Sequence, residues 1–209
     1  MNWWGISMTT ELEYWKAVLA GLRGPKVPII PFVPEQLLPP TRILEVDSAW
    51  KGIESILADL IERFHLRTKR CLEFGVEFGY STAALSAFFD SVTGVDTFVG
   101  DKHTTNKKDV YDETVRRLSP FENVRLIRSD YRDWIRADTG SYDLIHVDIV
   151  HTYSDTFACG LWSASHSQCV IFHDTESFST VRRAVIDVAR ISGKHFYNFK
   201  GSHGLGIVI

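Results

Sequence analysis

RCLEFGVEFGYST, residues 70–82, opens on a short apolar run and ends on a serine–threonine pair, with Gly75 and Gly79 bracketing the bend between them. The run Arg70–Phe74 reads as a strand and Ser81–Phe89 as the helix that follows. Glycine at such a bend lets the backbone take positive φ and approach a neighbour or a ligand closely. Downstream the alternation repeats. Val92–Asp96, Val124–Ile127, Leu144–Asp148 and Cys169–His173 read as strands, and Lys108–Leu118 and Thr180–Ile191 as helices, the latter opened by Ser179 and closed by Gly193. This is the pattern of βαβ units, a parallel sheet with helices on both faces. His195–Phe199 and Leu205–Ile209 flank the turn Gly201–Gly204; two strands so close must run antiparallel.

Upstream of this body, Ile53, Ile56, Leu57, Leu60, Ile61 and Phe64 predict a helix starting near Asp47 or Ser48. Pro25–Pro40 holds six of the seven prolines, which excludes a helix or a central strand and predicts an extended, stiff connector. Before it, Thr10 and Glu13 fit a capping box, and Trp15, Val18, Leu19 and Leu22 make an apolar stripe. The expected organisation is a helical arm with proline-rich connector over residues 1–45 and one α/β domain over 46–209.

The chain has 209 residues and a net charge of −3, enough for a core without staples and with no basic surplus to recommend nucleic acid or an anionic membrane as partner. Three cysteines without a CxxC pair argue against a disulfide framework and for reduced thiols in a cytoplasmic protein. The first residues lack a signal-peptide pattern and no stretch is long and apolar enough to span a bilayer. Trp3, Trp4 and Trp15 predict an arm that covers a pocket or packs on a second copy, giving a homodimer.

In an open α/β sheet, ligands bind where strand order reverses, at the carboxyl ends of the strands. The residues there are Glu73 and Gly75, Asp96, Asp130, Asp148 and His151, and His173 with Asp174. Glu77 replaces the second glycine of a GxGxxG turn, a poor neighbour for a pyrophosphate, while Glu73 suits an ammonium group. Asp96 lies 21 residues after Gly75, a spacing that suits ribose hydroxyls. Asp130 and Tyr131 could bracket a purine. A tight turn, a helix cap and a solvated loop acid are the bland alternatives. Taken together the residues describe a cradle for a nucleoside with a positive, phosphate-free tail, which S-adenosylmethionine satisfies better than NAD.

LEFGVEFGYST (72–82), YDLIHVDIVHTYSDT (142–156) and VIFHDTESFSTVRRAV (170–185) resemble class I S-adenosylmethionine-dependent methyltransferases, in particular their small-molecule O-methyltransferase-like branch. The resemblance covers residues 68–209. It implies a Rossmann-like, seven-stranded, mostly parallel sheet whose last strand alone is antiparallel. It also implies Glu73 near the cofactor's amino group, Gly75 under its methionine moiety, Asp96 on the ribose, and Asp130 and Tyr131 at the adenine; Gly79, Ser81 and Asp148 are further candidates for cofactor binding.

On the acceptor side, Asp148, His151, His173 and Asp174 suit either a general base or a divalent cation such as Mg²⁺. Metal-dependent O-methyltransferases of the catechol type resemble this layout, which implies His151 as base and Asp148 and Asp174 as cation ligands; His173 is a further candidate ligand by its place at the same strand end. Thr175 stands where they carry an amide, and Ile149-Val150 stands where the related branch carries Gly-Asp. His146, inside a strand, reads as a satisfied core residue, and the Thr97–Asn106 loop with His103 as a polar lid. The expected function is methyl transfer to a hydroxyl of a small molecule, a natural product or sugar. A non-catalytic nucleoside-binding or scaffolding protein is the main alternative. A nucleic-acid N-methyltransferase and an NAD enzyme stand further off, because no Pro-Pro-aromatic signature follows Asp148 and Glu77 interrupts the glycine turn.

Overall fold

The computed structural model describes residues 15–16, 18–100 and 108–209. Trp3, Trp4, the pair Thr10 and Glu13, and His103 in the 97–106 loop lie outside them. The strands are β1 (Ile29–Pro31), β2 (Arg70–Phe74), β3 (Ser91–Asp96), β4 (Val124–Arg128), β5 (Tyr142–Val147), β6 (Ser167–His173), β7 (Phe196–Phe199) and β8 (Leu205–Val208). A single 3-10 turn, Glu54–Ile56, leads into α1 (Leu57–Arg63). The later helices are α2 (Tyr80–Ser86), α3 (Tyr111–Leu118), α4 (Tyr131–Ala137), α5 (Tyr153–His166) and α6 (Ser179–Ser192).

The sheet runs β1-β7-β8-β6-β5-β2-β3-β4, with β8 antiparallel to both neighbours and every other pair parallel. It has eight strands rather than the expected seven. The extra one comes from the proline-rich connector: Ile29 pairs with Phe196 and Pro31 with Asn198. Proline is tolerated there because β1 is an edge strand, where one side of the backbone needs no partner. Both sheet faces are buried. Leu72, Phe74, Ile145, Val147 and Phe172 enter one apolar cluster, and Cys71, Leu144, Cys169 and Ile171 enter the other. Strands buried on both faces read as continuous apolar runs, which is how they appear in the sequence.

Two other expectations are corrected. The helix foreseen from Asp47 or Ser48 begins only at Leu57, because Gly52 sits at φ +99, outside helical space, and the chain turns before the 3-10 step. The arm stripe is narrower than read. Residues 18–22 are helical and Val18 is buried, but Trp15 and Leu19 are 45% and 52% exposed. Val18 and the half-buried Leu22 join the core cluster, and Gly21 lies so close to Ile191 of α6 that a Cβ would meet its side chain at 2.7 Å.

From β2 the chain proceeds to β3 and β4 on one side and, later, to β5 and β6 on the other, so strand order reverses between β2 and β5. The ends of these two strands touch. The Asp148 amide donates to the Phe74 carbonyl at 2.8 Å, and Gly75, at φ +89, presses against the Asp148 carbonyl where any Cβ would collide.

Candidate functional site

A cavity of about 720 Å³ opens at this switch point. It is lined by Gly75, Ser81, Asp96, Asp130, Tyr131, Asp148, His151, His173 and Asp174 among others. Four of the strand-end acids, Asp96, Asp130, Asp148 and Asp174, therefore do converge. Asp96 holds the glycine turn: one carboxylate oxygen accepts from the amides of Val76 and Glu77 at 2.7 and 2.8 Å, the other from Phe98 at 2.7 Å. Thr97 Oγ1, 3.5 Å from that second oxygen, makes the longest of its four contacts, the one a ligand hydroxyl would displace. Asp130 is both a wall residue and the N-cap of α4, accepting from the Arg132 amide at 2.7 Å. The Tyr131 hydroxyl donates to Asp155 at 2.7 Å, and burial first, then that hydrogen bond, pushes its pKa upward.

Two residues foreseen at the cavity do not line it. Glu73 is fully buried beneath the turn, where its carboxylate accepts from Ser81 Oγ at 2.5 Å, from Thr82 Oγ1 and from His146 Nδ1 at 2.8 Å. With those donors satisfied inside the protein, it does not reach toward an ammonium group in the cavity. Gly79, at φ +85, packs against Leu118 of α3 and caps α2 from behind. His146 is a satisfied core histidine: its Nε2 accepts from Trp50 Nε1 at 3.1 Å.

The other end of the cavity is a cluster of two carboxylates and two imidazoles. His151 Nε2 lies 2.9 Å from Asp174 Oδ2 and 3.7 Å from Asp148 Oδ1, and its ring stacks on Phe178 at 4.2 Å. His173 Nδ1 sits 3.2 Å from Asp148 and 3.3 Å from Asp174, while its Nε2 is 3.3 Å from the Ser202 carbonyl. Burial disfavours each charge, but the pairing outweighs it. The pKa of His151 rises to about 9 and that of His173 to about 10, while Asp174 falls to about 2 and Asp148 lies well below the usual carboxylate range. Asp174 takes φ +67, a left-handed conformation that Asp tolerates and that aims its carboxylate at both rings.

Asp148, His151 and Asp174 each bring one ligand atom within 4.8 Å of the other two, a donor set that fits a divalent cation. His173 does not belong to that set. Both its nitrogens face oxygen acceptors, so both serve as donors and neither offers a lone pair. Thr175 also turns away, its hydroxyl donating to Asn198 Oδ1 at 2.7 Å.

Several wall residues escaped the sequence reading: Trp50 from the segment ahead of the 3-10 turn, Tyr80 at the start of α2, Phe98 after β3, and Arg132 with Asp155. Arg132 pairs with both Asp130 and Asp155 and lies 4.7 Å from the Tyr131 ring, so it ties α4 to the start of α5. Tyr80, Arg132 and Asp155 come from helix starts and Trp50 from the segment ahead of the 3-10 turn, so strand-end inspection does not find them; Phe98 lies two residues past β3 and reads as an ordinary apolar loop residue.

Comparisons with known proteins agree with this architecture. Residues 72–175 match a family model described as a methyltransferase domain. Similar solved structures include a Klebsiella pneumoniae protein assigned as an O-methyltransferase, 17% identical over 79% of this chain and 82% of that one, with a TM-score of 0.55. Another is a Staphylococcus aureus protein assigned as a caffeoyl-CoA O-methyltransferase, 19% identical over 80% and 85%, TM-score 0.54. A third is the N-methyltransferase NodS of Bradyrhizobium japonicum in complex with S-adenosyl-L-homocysteine, 14% identical over 79% and 88%, TM-score 0.54. No curated protein matches the chain significantly in sequence. At such identities these structures speak for the fold. The matched segment begins in β2 ahead of the glycine turn and stops at Thr175, just past Asp174, so it takes in all five strand ends around the cavity, and residues 72–175 form a methyltransferase domain.

Proposed function

We propose that this protein transfers a methyl group from S-adenosylmethionine to a hydroxyl of a small molecule. The observation that carries the reading is one cavity holding two chemically different ends. Gly75, Asp96, Asp130 and Tyr131 surround one end, and the Asp148–His151–Asp174 cluster stands at the other. S-adenosylmethionine supplies an electrophilic methyl on a sulfonium. The chain's own residues do the rest. Gly75 lets the backbone come close, Asp96 takes a ribose hydroxyl in place of its long contact with Thr97 Oγ1, and Tyr131 with Asp130 flanks the base. Asp148, 29% exposed along its side chain, replaces Glu73 as the carboxylate open to the cofactor's amino group. His151 receives the proton of the acceptor hydroxyl, with Asp148 and Asp174 steadying the imidazolium. Holding acceptor and donor in line, away from water, supplies much of the rate.

A divalent cation on Asp148, His151 and Asp174 would lower the pKa of a bound hydroxyl instead. Absorption of Co²⁺ added to the purified protein separates the two routes, since a d–d band that appears with the wild type and vanishes in Asp174→Asn marks a filled site. The cavity's inner wall of Trp50, Tyr80 and Val150 suits a compact acceptor rather than a nucleic-acid strand. The central test is calorimetry with S-adenosylhomocysteine. Saturable binding is expected, and its loss in Asp96→Ala; absence of binding to the wild type would end the proposal.

A further inference from the structure

Trp50 reaches the cavity by an unusual route. It comes from the segment ahead of α1, is almost wholly buried, and lines the cavity all the same. Its indole Nε1–H donates to His146 Nε2, 3.1 Å away. Indole N–H can only donate, so His146 Nε2 carries a lone pair and Nδ1 carries the proton it gives to Glu73, 2.8 Å off. Glu73 is held in turn by Ser81 and Thr82. The indole edge is therefore pinned through a relay of buried groups, each with its donors and acceptors matched. The two rings meet at 63° with centroids 5.1 Å apart, so His146 takes the edge of the indole.

The register of the sheet says where this anchor stands. Glu73 on β2 and His146 on β5 are Cα partners. Two residues further along each strand are Gly75 and Asp148, the touching strand ends at the switch point. Trp50 is thus pinned over the seam between β2 and β5, one step inside the glycine turn on one side and the acceptor cluster on the other. A methyl group passing from a donor seated on Gly75 to an acceptor beside His151 would cross near that seam.

We infer that Trp50 is a cofactor-contacting residue whose indole faces the sulfonium, and that His146 is the positioning residue that sets the ring. The inference rests on the proposed use of S-adenosylmethionine. An aromatic face attracts a desolvated cation, tryptophan most strongly. S-adenosylmethionine carries that cation and S-adenosylhomocysteine, the demethylated product, does not. The contact therefore favours substrate over product and assists release once the methyl has gone.

The test is calorimetric titration of both nucleosides into wild type, Trp50→Phe, Trp50→Leu and His146→Phe, each checked for a cooperative melt. Affinity for S-adenosylmethionine is expected to fall in the order wild type, Phe, Leu, by about three- to tenfold at Leu, while affinity for S-adenosylhomocysteine changes less than about twofold. His146→Phe keeps ring volume but frees the indole edge, and a smaller shift of the same ratio is expected. Equal losses for both nucleosides, or no loss for either, would overturn the inference and show Trp50 to be plain wall. Should Trp50→Leu fail to fold, Trp50→Phe and His146→Phe carry the comparison. Failure of the wild type to bind either nucleoside would instead remove the proposed function, so the two failures are distinguishable.

Discussion

His151 has to lose a proton before it can take one. Its contacts with Asp148 and Asp174 overcome the burial that opposes its charge and raise its pKa to about 9, so at neutral pH most molecules hold it protonated. If it is the base, the reactive fraction grows about tenfold per pH unit below that value and then levels. The expected pH–rate profile, read as release of S-adenosylhomocysteine, climbs from pH 7 and flattens near pH 9. His151→Ala should slow turnover by roughly 10²–10⁴ fold, abolish the climb and leave nucleoside binding intact. A variant with unimpaired turnover would rule the residue out as base. Gly75 makes a different kind of demand. At φ +89 and against the Asp148 carbonyl, Gly75→Ala must both strain the turn and part the ends of β2 and β5. A loss above about 1 kcal/mol in denaturant melts is expected, together with weakened nucleoside binding.

The connector is where an element behaves differently from its composition. Proline density marks Pro25–Pro40 as extended and excludes a central strand, and that much is local chemistry. Nothing local says that Ile29–Pro31 will find β7, because the pairing joins residues far apart in the chain. Past β1 the Phe32 amide donates to the Asn198 carbonyl at 2.9 Å, and the Asn198 side chain in turn bonds Thr175 and Glu176 just beyond the acceptor cluster. Phe32 is buried under Arg63, 4.5 Å from its ring. Phe32→Ala should therefore cost about 3–5 kcal/mol in chemical melts, as for a core aromatic; a near-neutral change would mean the connector is a loose appendage. The same contrast explains what was legible. Strand ends and the glycine turn declare themselves through short-range pattern. α5 does not, because Thr156 to Ala164 is buried nearly all round and shows no apolar stripe. Glu73 looked open because an acid at a strand end usually is; its burial depends on His146, 73 positions away, and the reach of Trp50 depends on a partner 96 positions away.

Across the whole molecule the acceptor cluster is also a stability device, and its sign follows from its charges. His151 and His173 have folded pKa values near 9 and 10, against an ordinary histidine value of about 6.5 in the unfolded chain. Between those limits the folded state binds more protons than the unfolded one, so stability is full below about pH 6.5 and is lost as pH rises through 9 and 10. Asp174, lowered to about 2, and Asp148, lowered further, act in the opposite sense: their contribution is present above the ordinary carboxylate value near 4 and is lost as pH falls toward 2. The melting temperature should then crest between about pH 5 and 6.5 and fall by about 5 °C between pH 7 and 10. Both carboxylates reach both imidazoles, Asp174 within 3.3 Å of each, and asparagine is the substitute that tolerates the left-handed backbone of Asp174. Asp174→Asn should therefore lower the crest and flatten the alkaline slope, since each histidine loses a negative partner and returns toward its ordinary pKa. Calorimetric melts from pH 5 to 10 on both proteins decide it. If the wild type keeps its melting temperature through pH 10, or the variant falls as steeply as the wild type, the two histidines are not held as cations by these carboxylates.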